Sequence, residues 1–371
     1  MTSPITVGAR LRETEGRPSG FDYMRIVLAV GVIVWHTRLI IYGHVPDGPY
    51  LSWLAPFAYA MVPMFFTLSG FLVAGSLDRA KTLPAFLGLR VMRILPALAA
   101  EVLLSALILG PLLTTLPLRE YFTDTRFFQY FWNTLGEIHY YLPGVFADNP
   151  DDKANGQLWT VPYELVCYAM LSALFMLGIF RNRRWMLAAM GLYYVAQIGN
   201  QILRTHPDSN VPTGSTVLMS FMAGLLAYRL MDALPWSAMW CIAMGATSVA
   251  LLSVTGGSHF VALPLAYVTV YLGLLNPPRN RIVQSGDYSY GLYLFGYPIQ
   301  QTLYAASPVF HFWPLHMIAS VALSSVMAFL SWHLIEKRVL AHKNKLKIFE
   351  AWYLQQPAIQ TLRARLFRVP A

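Results

Sequence analysis

Residues 20–36 read GFDYMRIVLAVGVIVWH, and this stretch decides the class of fold. From Ile26 to Trp35 it carries no charged side chain, and the apolar character continues past His36 to about residue 42. A span at 22–42 has the roughly 20 mostly apolar residues that a helix needs to cross about 30 Å of hydrocarbon. The residues before it are polar, with Arg10, Arg12, Glu13, Glu15 and Arg17, and they run straight into an apolar segment too long for the core of a cleavable signal. The first span is therefore expected to stay in the protein.

The rest of the chain agrees. Of its 371 residues 56% are hydrophobic and 12% charged, where soluble domains carry about 25% charge, and the mean hydropathy is +0.47. Too little charge is left to cover a soluble globule, and the same composition excludes a disordered chain or a fibrous repeat. Two cysteines, Cys167 and Cys241, exclude a disulfide scaffold. Both read as small core residues, and a single disulfide between them stays open. Apolar stretches at 22–42, 54–77, 91–112, 158–180, 185–203, 213–231, 236–254, 259–275, 287–307 and 313–335 predict an all-α polytopic membrane protein. The expected architecture is a bundle of about ten transmembrane helices with both termini cytoplasmic.

That orientation puts Arg79, Lys81, Arg90, Arg181, Arg183, Arg184, Arg229, Arg279, Arg281, Lys337 and Arg338 inside, as the positive-inside rule requires. The connection 113–157 then lies outside. It carries Glu120, Asp124, Glu137, Asp148, Asp151 and Asp152 against Arg119, Arg126 and Lys153, and its aromatic run 121–132 suggests an interfacial helix or a loop folded over the bundle. The predicted organisation is a cytoplasmic segment 1–20, a membrane domain 21–336 and a basic cytoplasmic tail 337–371. The tail mixes Lys343, Lys345, Lys347, Arg363, Arg365 and Arg368 with Leu346, Ile348, Phe349, Trp352 and Tyr353, and is broken at Pro357. It is expected to lie on anionic lipid. Most of the +9 charge is thus topological, with no nucleic-acid partner implied.

Ionisable groups inside a span normally face a cavity or a partner. Arg25 and His36 are eleven residues apart, on one face of a helix and about 16 Å apart along its axis. His36 reads either as a packing histidine or as a general base, since its ordinary pKa is near neutral. Glu164, in the span that opens QLWTVPYE at 157–164, falls at about the depth of His36 and is a candidate to orient it, or a helix-packing glutamate. Asp22 is a third candidate, or the local counter-charge of Arg25. Arg90 and Arg93 share one face and with Arg25 form a candidate phosphate clamp, although ordinary topology signals look the same. Glu101, near mid-span, lines a passage or pins two helices. Ser69-Gly70 suits close helix approach more than a nucleophile. His139, His311, His316 and His333 lack ligand spacing, and no HExxH, CxxC, GxGxxG or GxxxxGK[ST] occurs, so no metal is expected.

Taken together, these segments resemble the acyltransferase-3 family of integral-membrane O-acyltransferases, over about residues 20–345. The resemblance rests on Arg25 and His36 in the first span, MFFTLSGFLVAGSL at 64–77, RVMRILPA at 90–97, LWTVPYELVCY at 158–168, GDYSYGLYLFGYPIQQ at 286–301 and SWHLIEKRVL at 331–340. It departs at Gly296, where many members carry histidine. Many members also carry a fused SGNH-type esterase domain, which a chain ending at 371 is expected to lack. The resemblance implies acetyl-CoA, or another acyl-CoA, as co-substrate on the cytoplasmic side of a bacterial inner membrane. It implies a hydroxyl of a lipopolysaccharide, exopolysaccharide or related glycoconjugate as acceptor. Arg25, Arg90 and Arg93 would hold the donor, and His36, assisted by Glu164, would act as base. The rival expectation is a transporter or flippase for a glycolipid or polysaccharide. Ten spans and buried acids suit it equally, but it requires neither the arginine cluster nor a histidine in register above it.

Overall fold

The computed structural model describes residues 5–43, 52–80, 82–203 and 211–356, and these are helical without a strand. The principal helices are α1 (Ser19–Tyr42), α2 (Ala55–Arg79), α3 (Leu83–Leu113), α4 (Val161–Met176) and α5 (Arg183–Leu203), then α6 (Gly214–Arg229), α7 (Ala238–Leu252), α8 (Ala262–Gly273), α9 (Ser289–Ala306) and α10 (Trp313–Ser331).

Among the described residues five helical runs are long and apolar enough to cross a membrane: α1, α2, α3, the run Gly156–Met176 that ends in α4, and the run Trp313–Gln355 that begins with α10. The expected ten spans are therefore corrected to five. The reason is physical. Apolar stretches counted along the sequence are longer than the helices they form. At 1.5 Å per residue α6, α7 and α8 reach only about 24, 22 and 18 Å, short of the roughly 30 Å hydrocarbon core. In α5, Arg183, Arg184, Gln197, Asn200 and Gln201 dilute the apolar content. In α9 the interior itself is polar, with Tyr297, Gln300 and Gln301 buried. With the count of ten falls the alternation that placed both termini on the cytoplasmic side.

The bundle is closed by small residues. On α2, Gly70 faces the backbone oxygen of Phe221 on α6 so closely that a Cβ there would sit 2.2 Å from it, and Gly224 of α6 meets the oxygen of Thr67 in the same way. The Thr67 hydroxyl donates to the Ser220 oxygen at 3.1 Å across this contact. Helix α9 runs against α1, α3 and α10. Gln300 Nε2 donates to the Ile33 oxygen (2.8 Å) and to Thr37 Oγ1 (2.9 Å) on α1, and Tyr290 donates to the Ile94 oxygen on α3 at 3.3 Å. Buried amides that satisfy a neighbour's backbone fix one register between helices.

Helix α3 widens for one turn at Ser105–Leu109, and the Tyr121 hydroxyl donates to the Ala106 oxygen there at 2.7 Å. Glu101, one turn before, is fully buried and accepts from Ser105 Oγ at 2.8 Å. The connection 113–157 is folded back into the protein, burying Tyr121, Tyr130, Leu142, Val145, Phe146 and Ala154. Beyond α10 the chain stays helical, and Lys343–Gln355 packs on α3, with Glu350 accepting from Thr82 Oγ1 at 2.9 Å and Leu346 lying over Gly88. Pro357, Arg363, Arg365 and Arg368 of the basic tail lie outside the described residues, as does Lys81. Cys167 and Cys241 are both free thiols.

Candidate active site

Two turns into α1, Arg25 points to the same place as Arg90 and Arg93 of α3. Asp287, two residues before α9, gathers two of them: its Oδ2 accepts from Arg25 Nη1 at 3.0 Å and from Arg93 Nη2, while Ser289 Oγ donates to its Oδ1 at 2.6 Å. Burial pushes this carboxyl up, but Arg93 and Arg25 together outweigh that and hold it below the usual carboxylate range. Arg90 is less committed. It reaches Ser76 Oγ at a long 3.4 Å and lies over the Phe86 ring, and its buried Nε has no acceptor among the described residues.

The three arginines line a cavity of about 140 Å³ with Ser69, Thr160, Glu164, Tyr168, Tyr290 and Tyr293 among its walls. Glu164 Oε1 accepts from the Tyr168 hydroxyl at 2.7 Å, and the charges acting on this glutamate are those of Arg93, Arg90 and Arg25. The sequence brought Glu164 level with His36; the structure brings it to the arginines instead. Asp22 also belongs to that end. It contacts Arg279 at 3.4 Å and sits fourteen residues, about 21 Å, down the helix from His36.

His36 lies about 16 Å along α1 from Arg25. The Tyr297 ring of α9 meets the imidazole edge-on, with ring centres 5.3 Å apart at 78°. The polar groups acting on it are Asp151 and Gln157, both from the end of the 113–157 connection. Asp151 accepts from the Tyr297 hydroxyl and from Lys153 Nζ at 2.8 Å. The imidazole Nδ1 is shut off from solvent with no hydrogen-bond partner among the described residues.

Between the cavity and the histidine stands a polar layer. Tyr293 and Thr160 share a hydrogen bond of 2.9 Å, the Tyr293 hydroxyl reaches the Gln157 oxygen at 3.2 Å, and Gln157 Nε2 donates to the Tyr293 oxygen. Sequence reasoning missed Asp287, Asp151, Tyr293 and Tyr297. Part of the signal was available: Tyr290, Tyr293 and Tyr297 stand three and four apart, on one face of a helix. Gly296 also has a structural reading. A Cβ there would come within 2.8 Å of Ile33 on α1 and 3.4 Å of Gln157, so this chain has closed α9 onto α1 where a histidine would need room. No group of three or more His, Cys, Asp or Glu among the described residues is placed to hold a metal ion.

Comparison with known proteins places the chain in a family. Residues 19–335 match the family model described as an acyltransferase domain. The chain is 27% identical over 369 residues to nodulation protein 10 of Rhizobium leguminosarum bv. viciae, covering 92% of this chain and 98% of that protein. It is 23% identical over 343 residues to the O-acetyl transferase of Shigella phage Sf6, covering 87% and 96%. No solved structure matches it significantly. With most of its length inside one family model and the arginine cavity and histidine both built from that region, the chain belongs to the acyltransferase domain family of membrane proteins.

Proposed function

We propose that the protein moves an acyl group, acetyl by family precedent, from acyl-CoA to a hydroxyl of a surface or exported glycan, with His36 as general base. The observation that carries this is the pairing of a three-arginine cavity with a half-buried histidine about 16 Å further along α1 from Arg25. Phosphates of the donor would be held by the Arg25, Arg90 and Arg93 guanidinium groups. An extended thiol-bearing arm would then run along α1, past the Tyr293–Thr160–Gln157 layer, to His36. Arginines crowd the Arg25 end, where Arg17, Arg79 and Arg279 also lie, which supports a cytoplasmic mouth for the donor. Asp151 and the 113–157 connection stand at the opposite end, from which the acceptor would enter a bacterial envelope reaction.

In the reaction, His36 takes the proton of the acceptor hydroxyl as its oxygen attacks the thioester carbonyl. The C–O bond forms, the C–S bond breaks, and the leaving thiolate recovers the proton from the imidazolium. The test uses purified protein in liposomes, acetyl-CoA labelled on the acetyl group, and an envelope glycan extract as acceptor. His36→Ala is expected to reduce thioester loss about 10²-fold or more while donor binding persists, and Arg90→Ala to weaken donor binding. Unchanged turnover in His36→Ala refutes the assignment. A native chain that binds no acyl-CoA favours the transport reading instead.

A further inference from the structure

We propose that Asp151 is the positioning residue for His36, carried to it by a strap of residues 149–157 that is stitched to α9; this rests on the transferase reading of His36. The strap is bonded rung by rung. Asn149 Nδ2 donates to Gln301 Oε1 at 2.7 Å, and Gln301 Nε2 returns to the Asp151 and Lys153 oxygens at 2.5 and 2.8 Å. Asn155 Nδ2 donates to the Leu294 oxygen at 3.0 Å, and Gln157 Nε2 to the Tyr293 oxygen. Gly156 passes so near the Tyr297 ring that a Cβ there would lie 2.8 Å from it. On its other side α9 grips α1 through Gln300, at Ile33 and Thr37, within one turn of His36. One helix thus clamps the strap and the histidine-bearing turn in a single register.

Asp151 is only 4% exposed. A buried carboxylate is costly unless it is paired and hydrogen-bonded, and here Lys153 and Tyr297 satisfy both its oxygens. The Tyr297 ring that Asp151 fixes is the one standing edge-on against the imidazole. Asp151 therefore acts in two ways. It locks the ring that sets the plane of His36, and its charge stabilises the imidazolium that forms as the acceptor proton is taken. Glu164, the sequence-level candidate for this role, is occupied in the arginine cavity.

The experiment measures kcat and KM for acetyl-CoA in the labelled-thioester assay for the native chain and for Asp151→Asn, Asp151→Glu, Tyr297→Phe and Lys153→Met. Asp151→Asn is expected to lower kcat by about 10²-fold with KM for acetyl-CoA unchanged, because the arginine cavity lies at the other end of α1. Asp151→Glu should recover part of the loss. Lys153→Met, which breaks the ion pair but keeps the carboxylate, should lower kcat less than Asp151→Asn does. Tyr297→Phe, the mildest change, should lower kcat in a chain that still folds, and serves where Asp151→Asn does not fold. Native kcat in Asp151→Asn or in Tyr297→Phe overturns the proposal, as does a loss in Lys153→Met equal to that in Asp151→Asn. If the native chain shows thioester loss that ignores His36, the transferase assignment fails, and this inference with it.

Discussion

Replacing Gly70 by alanine tests the packing that shapes the arginine cavity. The added Cβ would lie 2.2 Å from the Phe221 oxygen, with the Leu225 nitrogen at 3.2 Å. Ordinary carbon–oxygen contacts begin near 3.3 Å, so α2 and α6 must part by about 1 Å. Both atoms in the way are backbone, so no side chain can swing aside. Overpacking of this kind costs about 1–3 kcal/mol, against which alanine's better helix propensity returns at most about 1 kcal/mol. At about 2–4 °C per kcal/mol, a fall in Tm of several degrees is expected. The separation also reaches the site, since Ser69 and Phe221 both line the arginine cavity. Misplacement by about 1 Å can cost 10²-fold in rate. The assay is thermal unfolding in a fixed detergent together with acetyl-CoA binding, with Gly224→Ala as a second probe of the same contact and Gly191→Ala as the control. A Cβ at Gly191 on α5 meets nothing within 4 Å, so that variant should unfold at or above the native temperature. Native Tm and native donor binding in both Gly70→Ala and Gly224→Ala would refute the close α2–α6 approach.

Asp287→Asn removes the carboxylate shared by Arg25 and Arg93, and breaking such a pair costs up to about 3–5 kcal/mol when it is fully buried, less here because the side chain is 23% exposed. The native carboxyl titrates below its unfolded value, so its stabilisation is complete above about pH 4 and is lost as pH falls through the lower folded value. The stability gap between native chain and Asp287→Asn, followed by unfolding at a series of pH values, should therefore be flat from pH 5 to 8 and close only in acid. A gap that varies through the neutral range contradicts the ion-pair account. Gly296→His should lower stability by about 1–3 kcal/mol, because Ile33 and Gln157 leave no space for the imidazole; a variant as stable as the native chain would show that α9 and α1 separate readily.

The sequence by itself determined that this is a membrane protein, because 12% charge cannot cover a soluble chain of this length. It also picked out the three arginines that line one cavity. Arg25 and His36 share one face through helix periodicity alone, and Arg90 and Arg93 stand three apart on another helix. These are local facts, fixed by residue spacing. The number of crossings was not local. An apolar stretch such as 259–275 says nothing of where its helix ends, and only the folded chain shows that Ala262–Gly273 stops short of a bilayer's thickness. Nor does hydropathy distinguish a polar helix facing water from one facing the interior, as α9 does with Gln300 and Gln301. The partner proposed here for His36 lay furthest from reach. Glu164 and Asp151 are thirteen residues apart, and depth along a span favoured the first. The tertiary structure brings the second to Tyr297, the ring beside His36, because a loop's return path is set by bonds to distant backbone, here from Asn149, Asn155 and Gln157 to α9, and no pattern within the loop encodes them.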